Sequence, residues 1–218
     1  MKIRSLLLTL VLALSFALAA CDFDGGVEQG RCVAFDPAAK TLTIVVDVTH
    51  DQSAPHYSGD VHTFKLPAEA RDMGPAPTVG GRLMIELEKS ALLLYDPDSK
   101  SIKELPVQFT DVEKNISAKH PKVAGKTFPV VDKEKQTVTV YSKRLQALVT
   151  FKVPAPALDL PPYVWTAGDE MRIAYRNADK GQAIRIMNVS KTNIFQKYTV
   201  VCLQGPSSET SNQEDNKV

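Results

Sequence analysis

His50, His56 and His62 lie close together beside Asp51 and Asp60, and imidazole with carboxylate is a ligand set that zinc, copper or nickel accepts. The spacing argues against such a site. Five residues between successive histidines match neither the i, i+4 face of a helix nor the alternation of a strand. A solvated loop is the expected setting, no metal and no cofactor is expected, and the three histidines remain only weak candidates. Glu86 and Glu88 share a strand face, but glycoside chemistry on paired carboxylates needs a cleft, and the expected face is solvent. No Gly-x-Ser-x-Gly turn, phosphate-cradling glycine loop or dinucleotide fingerprint occurs, and His120 before Pro121 has no orienting partner. The chain therefore reads as non-enzymatic.

Cys32 and Cys202 stand near the two ends of the patterned region. In an oxidising compartment they either close a disulfide, which would stabilise by about 4–5 kcal/mol in the chain-entropy account, or remain two buried thiols. Neither sits in a nucleophile setting. The second half carries Tyr141, Phe151, Tyr163, Trp165 and Tyr175 on or beside predicted strands. Small barrels use aromatic platforms and basic side chains on one strand face to bind ligands. Arg144, Tyr163, Trp165, Arg172, Tyr175 and Arg176 are the candidate ligand-binding residues on that basis. The competing reading places the aromatics in a core.

The elements that must position these side chains read as strands. Short runs of Val, Ile, Thr, Phe and Tyr alternate with polar residues and stop at Asp, Pro, Gly and Lys clusters. The pattern occurs twice. Gly30 to Asp36, a turn, and Thr41-Leu42-Thr43-Ile44-Val45-Val46 are answered by Gly125 to Asp132, a turn, and Thr137-Val138-Thr139-Val140-Tyr141. Thr63-Phe64-Lys65-Leu66-Pro67-Ala68 is echoed by Thr150-Phe151-Lys152-Val153-Pro154-Ala155. Thr78 to Ile85 matches Thr166 to Ile173, and Ala91 to Tyr95 matches Ala183 to Met187. Blocks in the same order predict an internal duplication. The fold expected is all-β: two tandem five-stranded barrels, OB-like ahead of SH3-like, because closure removes exposed edges. The alternative is one larger sandwich or barrel pairing strands of both copies. The units are placed at 29–110 and 125–202, joined by a linker at 111–124.

The amino end supplies the strongest placement signal. Lys2 and Arg4 mark the start of an apolar run from Ile3 to Ala20, about 18 residues and at the lower edge of spanning length. The stretch Leu18-Ala19-Ala20-Cys21 resembles the lipobox of bacterial lipoproteins. That resemblance implies a signal helix removed at 1–20 and Cys21 carrying diacylglycerol on sulfur. A flexible tether at 21–28 and a disordered tail at 203–218 complete the expected organisation. The expected location is the periplasmic side of a bacterial membrane, inner or outer, with the bilayer as partner through acylated Cys21.

The body also resembles an uncharacterised lipoprotein family of sulfate-reducing bacteria. The carrying stretches are Gln29-Gly30-Arg31 with Ala34-Phe35-Asp36, Phe128-Pro129-Val130-Val131-Asp132-Lys133, Tyr141-Ser142-Lys143-Arg144 and Met187-Asn188-Val189-Ser190-Lys191. That family implies no activity. The precursor has 26 Lys+Arg against 25 Asp+Glu, but unevenly placed. Residues 27–120 balance at −4 and residues 121–202 at +7. Such asymmetry suits an anionic surface, a glycan or an envelope protein as partner, and nucleic acid is excluded by compartment. The expected function is a non-enzymatic binding or scaffolding lipoprotein. Periplasmic metal handling and an envelope-directed hydrolase are the alternatives.

Overall fold

The structure is a computed structural model that describes residues 24–192. Cys21, Cys202, the expected signal segment at 1–20 and the expected tail at 203–218 lie outside the described residues.

The chain opens with an antiparallel meander, β1 (Gly25–Asp36), β2 (Thr41–Asp47) and β3 (Tyr57–Lys65). Asp36 opens the first turn by accepting the backbone N–H groups of Ala38 and Ala39 through Oδ1, each at 2.9 Å. Leu42 and Ile44 face one side of β2 and are fully buried, while the alternating Thr43 faces the other and bonds Thr63 across the pair at 2.9 Å. A hairpin with a third strand follows: β4 (Arg82–Glu86), β5 (Ala91–Asp96) and β6 (Ser101–Pro106). Then come β7 (Gln108–Glu113), β8 (Val130–Asp132), β9 (Thr137–Ser142) and β10 (Ala147–Lys152). A short helix α1 (Pro162–Trp165) precedes the last hairpin, β11 (Glu170–Arg176) and β12 (Asp179–Asn188).

The meander geometry recurs in β8–β10. Thr139 bonds Thr150 at 2.9 Å, as Thr43 bonds Thr63. Val138 faces Phe151 and Thr137 faces Lys152, as Leu42 faces Phe64 and Thr41 faces Lys65. Each meander also holds a residue with positive φ in its first turn, Lys40 and Gln136, both at 54°. The carbonyl of each accepts a backbone N–H from just beyond the third strand, Leu66 at 2.9 Å and Val153 at 3.1 Å.

Strand partnership differs from the expected tandem arrangement. β1 pairs with β11 from Gly25–Arg176 to Arg31–Glu170, so strands of both sequence halves share one sheet, ordered β1–β11–β12–β3–β2. β2 also pairs back to β1, and the β12–β3 step is a single parallel pair, Gln182 with Lys65. The result is one curled sheet with a thin seam, closed further by Gln182 Nε2 donating to the Leu66 carbonyl at 2.9 Å. The other sheets are β7–β10–β9–β8 and β4–β5–β6. Pairing strands across the halves is thus the arrangement found, in place of two barrels in tandem. Of the residues 21–28 expected as a tether, those from Gly25 onward belong to β1.

Two main cores result. One gathers Cys32, Leu42, Ile44 and Phe64 with Met171, Ile173, Ala183 and Ile186 from the distant last hairpin. The other gathers Val138, Val140, Val149, Phe151 and Trp165 with Ile85, Leu92 and Leu94 from the early hairpin. Alternation along β5 lets Leu92 and Leu94 serve this second core while Tyr95 turns to a third cluster, with Leu83, Val33, Val45 and Tyr57. Sequence halves with different charge balance are therefore not separate bodies.

Candidate functional site

Between the two main cores lies a cleft of about 560 Å³. β1 brings Arg31, the start of β4 brings Arg82, the turn after β9 brings Lys143 and Arg144, and α1 ends there with Trp165. Asp169 and Glu170 enter with β11. The segments before β4 and β11 run against one another: the Gly81 N–H donates to the Tyr163 carbonyl at 2.8 Å and the Asp169 N–H to the Thr78 carbonyl at 2.9 Å. Gly80 and Gly168 meet at this crossing. A Cβ on Gly168 would fall 2.0 Å from the Cys32 carbonyl oxygen, and one on Gly80 2.4 Å from the Gly168 nitrogen, so no side chain fits at either.

One wall is a network in which Arg31, Tyr57 and Glu170 are paired, with Glu170 Oε1 left without a partner among the described residues. Arg31 donates through Nε to the Tyr57 hydroxyl at 2.9 Å and through Nη1 to the Gly168 carbonyl at 2.8 Å. The same Nε lies 3.4 Å from Glu170, and the Tyr57 hydroxyl donates to that carboxylate at 3.2 Å. Burial pushes the Glu170 carboxyl up despite the opposing charge of Arg31, and burial likewise raises the Tyr57 phenol. Asp169 is held by the Thr78 N–H at 2.7 Å, Asn188 at 3.0 Å and Lys191 at 2.9 Å. Burial alone would raise its carboxyl, but these bonds together bring it below the usual carboxylate range.

The opposite wall is less balanced. Arg82 is 4% exposed and donates only to carbonyls, through Nε to Trp165 at 2.8 Å and through Nη2 to Tyr141 at 3.4 Å. Burial, and then the like charges of Arg31 and Arg144, lower its basicity to about 9, so it stays protonated at neutral pH. The Trp165 indole is fully buried, and its N–H has no acceptor among the described residues.

Of the six expected ligand-binding residues, the structure brings Arg144 and Trp165 to this cleft. Tyr163 is exposed and takes part through its backbone carbonyl. Arg172, Tyr175 and Arg176 lie apart on β11: Arg172 is bound to Gln29 at 2.7 Å, Tyr175 stacks on Phe64 and covers Gly26, and Arg176 faces Gly25. They form no common face with Arg144 and Trp165. The histidines do not converge either. His62 faces Glu28, and His56 binds the Asp47 carboxylate through its backbone N–H at 2.8 Å. Among the described residues, no group of His, Cys, Asp and Glu is arranged to hold a metal ion. Cys32 lies in the first core, where burial pushes its thiol up to about 12; the Cys202 of the expected disulfide lies outside the described residues.

Sequence reasoning missed Arg31, Tyr57, Arg82 and Glu170. One signal was available, because Arg82 and Glu170 occupy matching positions of the two repeated blocks and carry opposite charge, each directly before an apolar residue.

Fold and site together define a β protein with two interleaved cores and a polar cleft between them. The chain belongs to the family described as a domain of unknown function, DUF4881, which matches residues 23–197. That agrees with the likeness to an uncharacterised family read from the sequence. No curated protein and no solved structure matches the chain.

Proposed function

We propose that this chain is a non-enzymatic binding module of the bacterial cell envelope, tethered through acylated Cys21, with the cleft between the two cores as its ligand site. The observation that carries the binding role is the Arg82 guanidinium, a buried cation on the cleft wall that the chain's own carboxylates leave unanswered. Buried charges are ordinarily paired, so such a cation lining a cavity suits an anionic ligand. The envelope placement rests on the Leu18-Ala19-Ala20-Cys21 pattern.

The body behind the cleft is read as an internal duplication in which each copy gives its second hairpin to the other. Its support is the matched Thr–Thr pairs, the matched positive-φ residues Lys40 and Gln136, and the meeting of the equivalent glycines Gly80 and Gly168.

Capture from solubilised membranes with the intact lipidated chain tests the function. Wild type is expected to retain an envelope component that Thr166→Trp, which fills the cleft wall, releases. Cys21→Ser is expected to leave the membrane fraction. Equal capture by wild type and Thr166→Trp removes the cleft from the reading, and a membrane-bound Cys21→Ser removes the anchor.

A further inference from the structure

The cleft holds three guanidinium groups and spare capacity for a negative charge. Arg31 is answered by Glu170 at 3.4 Å, and Asp169 is answered by Lys191 at 2.9 Å. Neither carboxylate reaches Arg82, whose partners are the two carbonyls of Trp165 and Tyr141. The second of these contacts, at 3.4 Å, is at the outer limit of a hydrogen bond and leaves most of the guanidinium fork free. Arg144 lies close enough to repel Arg82 and forms no ion pair among the described residues. A buried cation without a counter-charge is strongly unfavourable in a medium of low dielectric constant. Two neighbouring cations facing one cavity are the reverse of what stability alone would select.

We propose that the cleft binds a doubly charged tetrahedral oxyanion, phosphate or sulfate when free or phosphate as the terminal group of a small ester, on the guanidinium forks of Arg82 and Arg144. The inference rests on the cleft being the ligand site. A tetrahedral anion suits these donors better than a carboxylate does. Its oxygens point in three dimensions and accept from forks in different planes, whereas a carboxylate accepts within one plane. The residual charge also fits: with Arg31 paired to Glu170, the cations Arg82, Arg144 and the exposed Lys143 leave the cleft with a positive excess that a dianion answers.

The test is isothermal titration of the full-length chain in a non-ionic detergent at fixed ionic strength. Inorganic phosphate, sulfate and glycerol 3-phosphate are the probes, and acetate is the control. Saturable binding of at least one of the three oxyanions, with none for acetate, is expected. Binding of glycerol 3-phosphate alone assigns the site to an ester, and binding of inorganic phosphate or sulfate assigns it to the free anion. Arg144→Gln, at an exposed position, is expected to keep the urea midpoint and weaken binding about tenfold, the scale of one charge-assisted contact. Arg82→Lys keeps the charge but loses the fork, and is expected to weaken binding as well; if it does not fold, Arg144→Gln decides. No heat from any oxyanion, acetate binding as tightly, or unchanged affinity in Arg144→Gln overturns the proposal. Those outcomes leave the Thr166→Trp capture result untouched, so the anion assignment can fail while the cleft reading stands.

Discussion

Arg31 and Arg82 face the same cleft and meet opposite circumstances. Arg31 finds a carboxylate, a phenol and a carbonyl, while Arg82 finds two carbonyls and two like charges. Glu170 gives the paired wall a testable pH signature. Its folded-state carboxyl is raised, with burial outweighing Arg31, so the folded chain holds this proton more tightly than the unfolded chain. The contribution is therefore fully present below the unfolded value and declines as pH rises through the folded value. Glu170→Gln removes that titration. Urea unfolding of both proteins is expected to show wild type faring better relative to Glu170→Gln at pH 4.5 than at pH 7. The reverse slope would mean that the Arg31 pair outweighs desolvation. None of this was legible residue by residue. Arg144 and Trp165 could be picked out because an aromatic beside a basic residue suggests a platform. Arg31 and Arg82 read as ordinary solvent-facing charges, because their burial is created by β11 and α1 arriving from far along the chain.

At the scale of elements, the sequence carried the strands and their internal register with some fidelity. The repeated Thr-Phe-Lys blocks end β3 and β10, and Phe64 and Phe151 enter matching places in the two cores. Which hairpin each meander would accept was not legible, since apolar alternation specifies a buried face and not the identity of what covers it. The choice is made at the crossing of the segments before β4 and β11. Gly168 approaches the Cys32 carbonyl so closely that a Cβ would sit 2.0 Å from the oxygen, a backbone atom with no freedom to retreat. Gly168→Ala is expected to destabilise by about 3 kcal/mol, the upper range for forced overpacking, read from the urea midpoint. Gly181→Ala, whose nearest neighbour is a side-chain oxygen at 3.6 Å, is the comparison and is expected to change stability far less. Equal effects at the two positions would mean that the crossing yields without cost.

For the whole molecule, the pairing of β1 with β11 and the packing of β4 and β5 against β9 and β10 make each core depend on both halves of the sequence. The first core draws Cys32, Leu42, Ile44 and Phe64 from before residue 65 and Met171, Ile173, Ala183 and Ile186 from after residue 170. The second buries Ile85, Leu92 and Leu94 against Val138, Val149, Phe151 and Trp165. A fragment spanning 29–110 would keep the small cluster of Val33, Val45, Tyr57, Leu83 and Tyr95 but strip Leu42 and Ile44 on β2 and Leu92 and Leu94 on β5 of the partners that later strands supply, and 125–202 would likewise strip β9 and β11. Burying a Leu, Ile or Phe side chain is worth about 1.5–3 kcal/mol, and each fragment forgoes several at once, more than the usual margin of a domain this small. Neither fragment is expected to fold alone. The intact chain is expected to unfold in one cooperative step, although its cores are spatially distinct. The single tryptophan, Trp165, reports the second core by fluorescence, and amide hydrogen exchange along β1 and β11 reports the first. Coincident midpoints for the two probes are the expected result, because losing β11–β12 from the first core also frees α1 and Arg82 from the second. Separate midpoints, or a folded 29–110 fragment, would show that the halves are self-sufficient and that the pairing of β1 with β11 is an addition to them rather than their foundation.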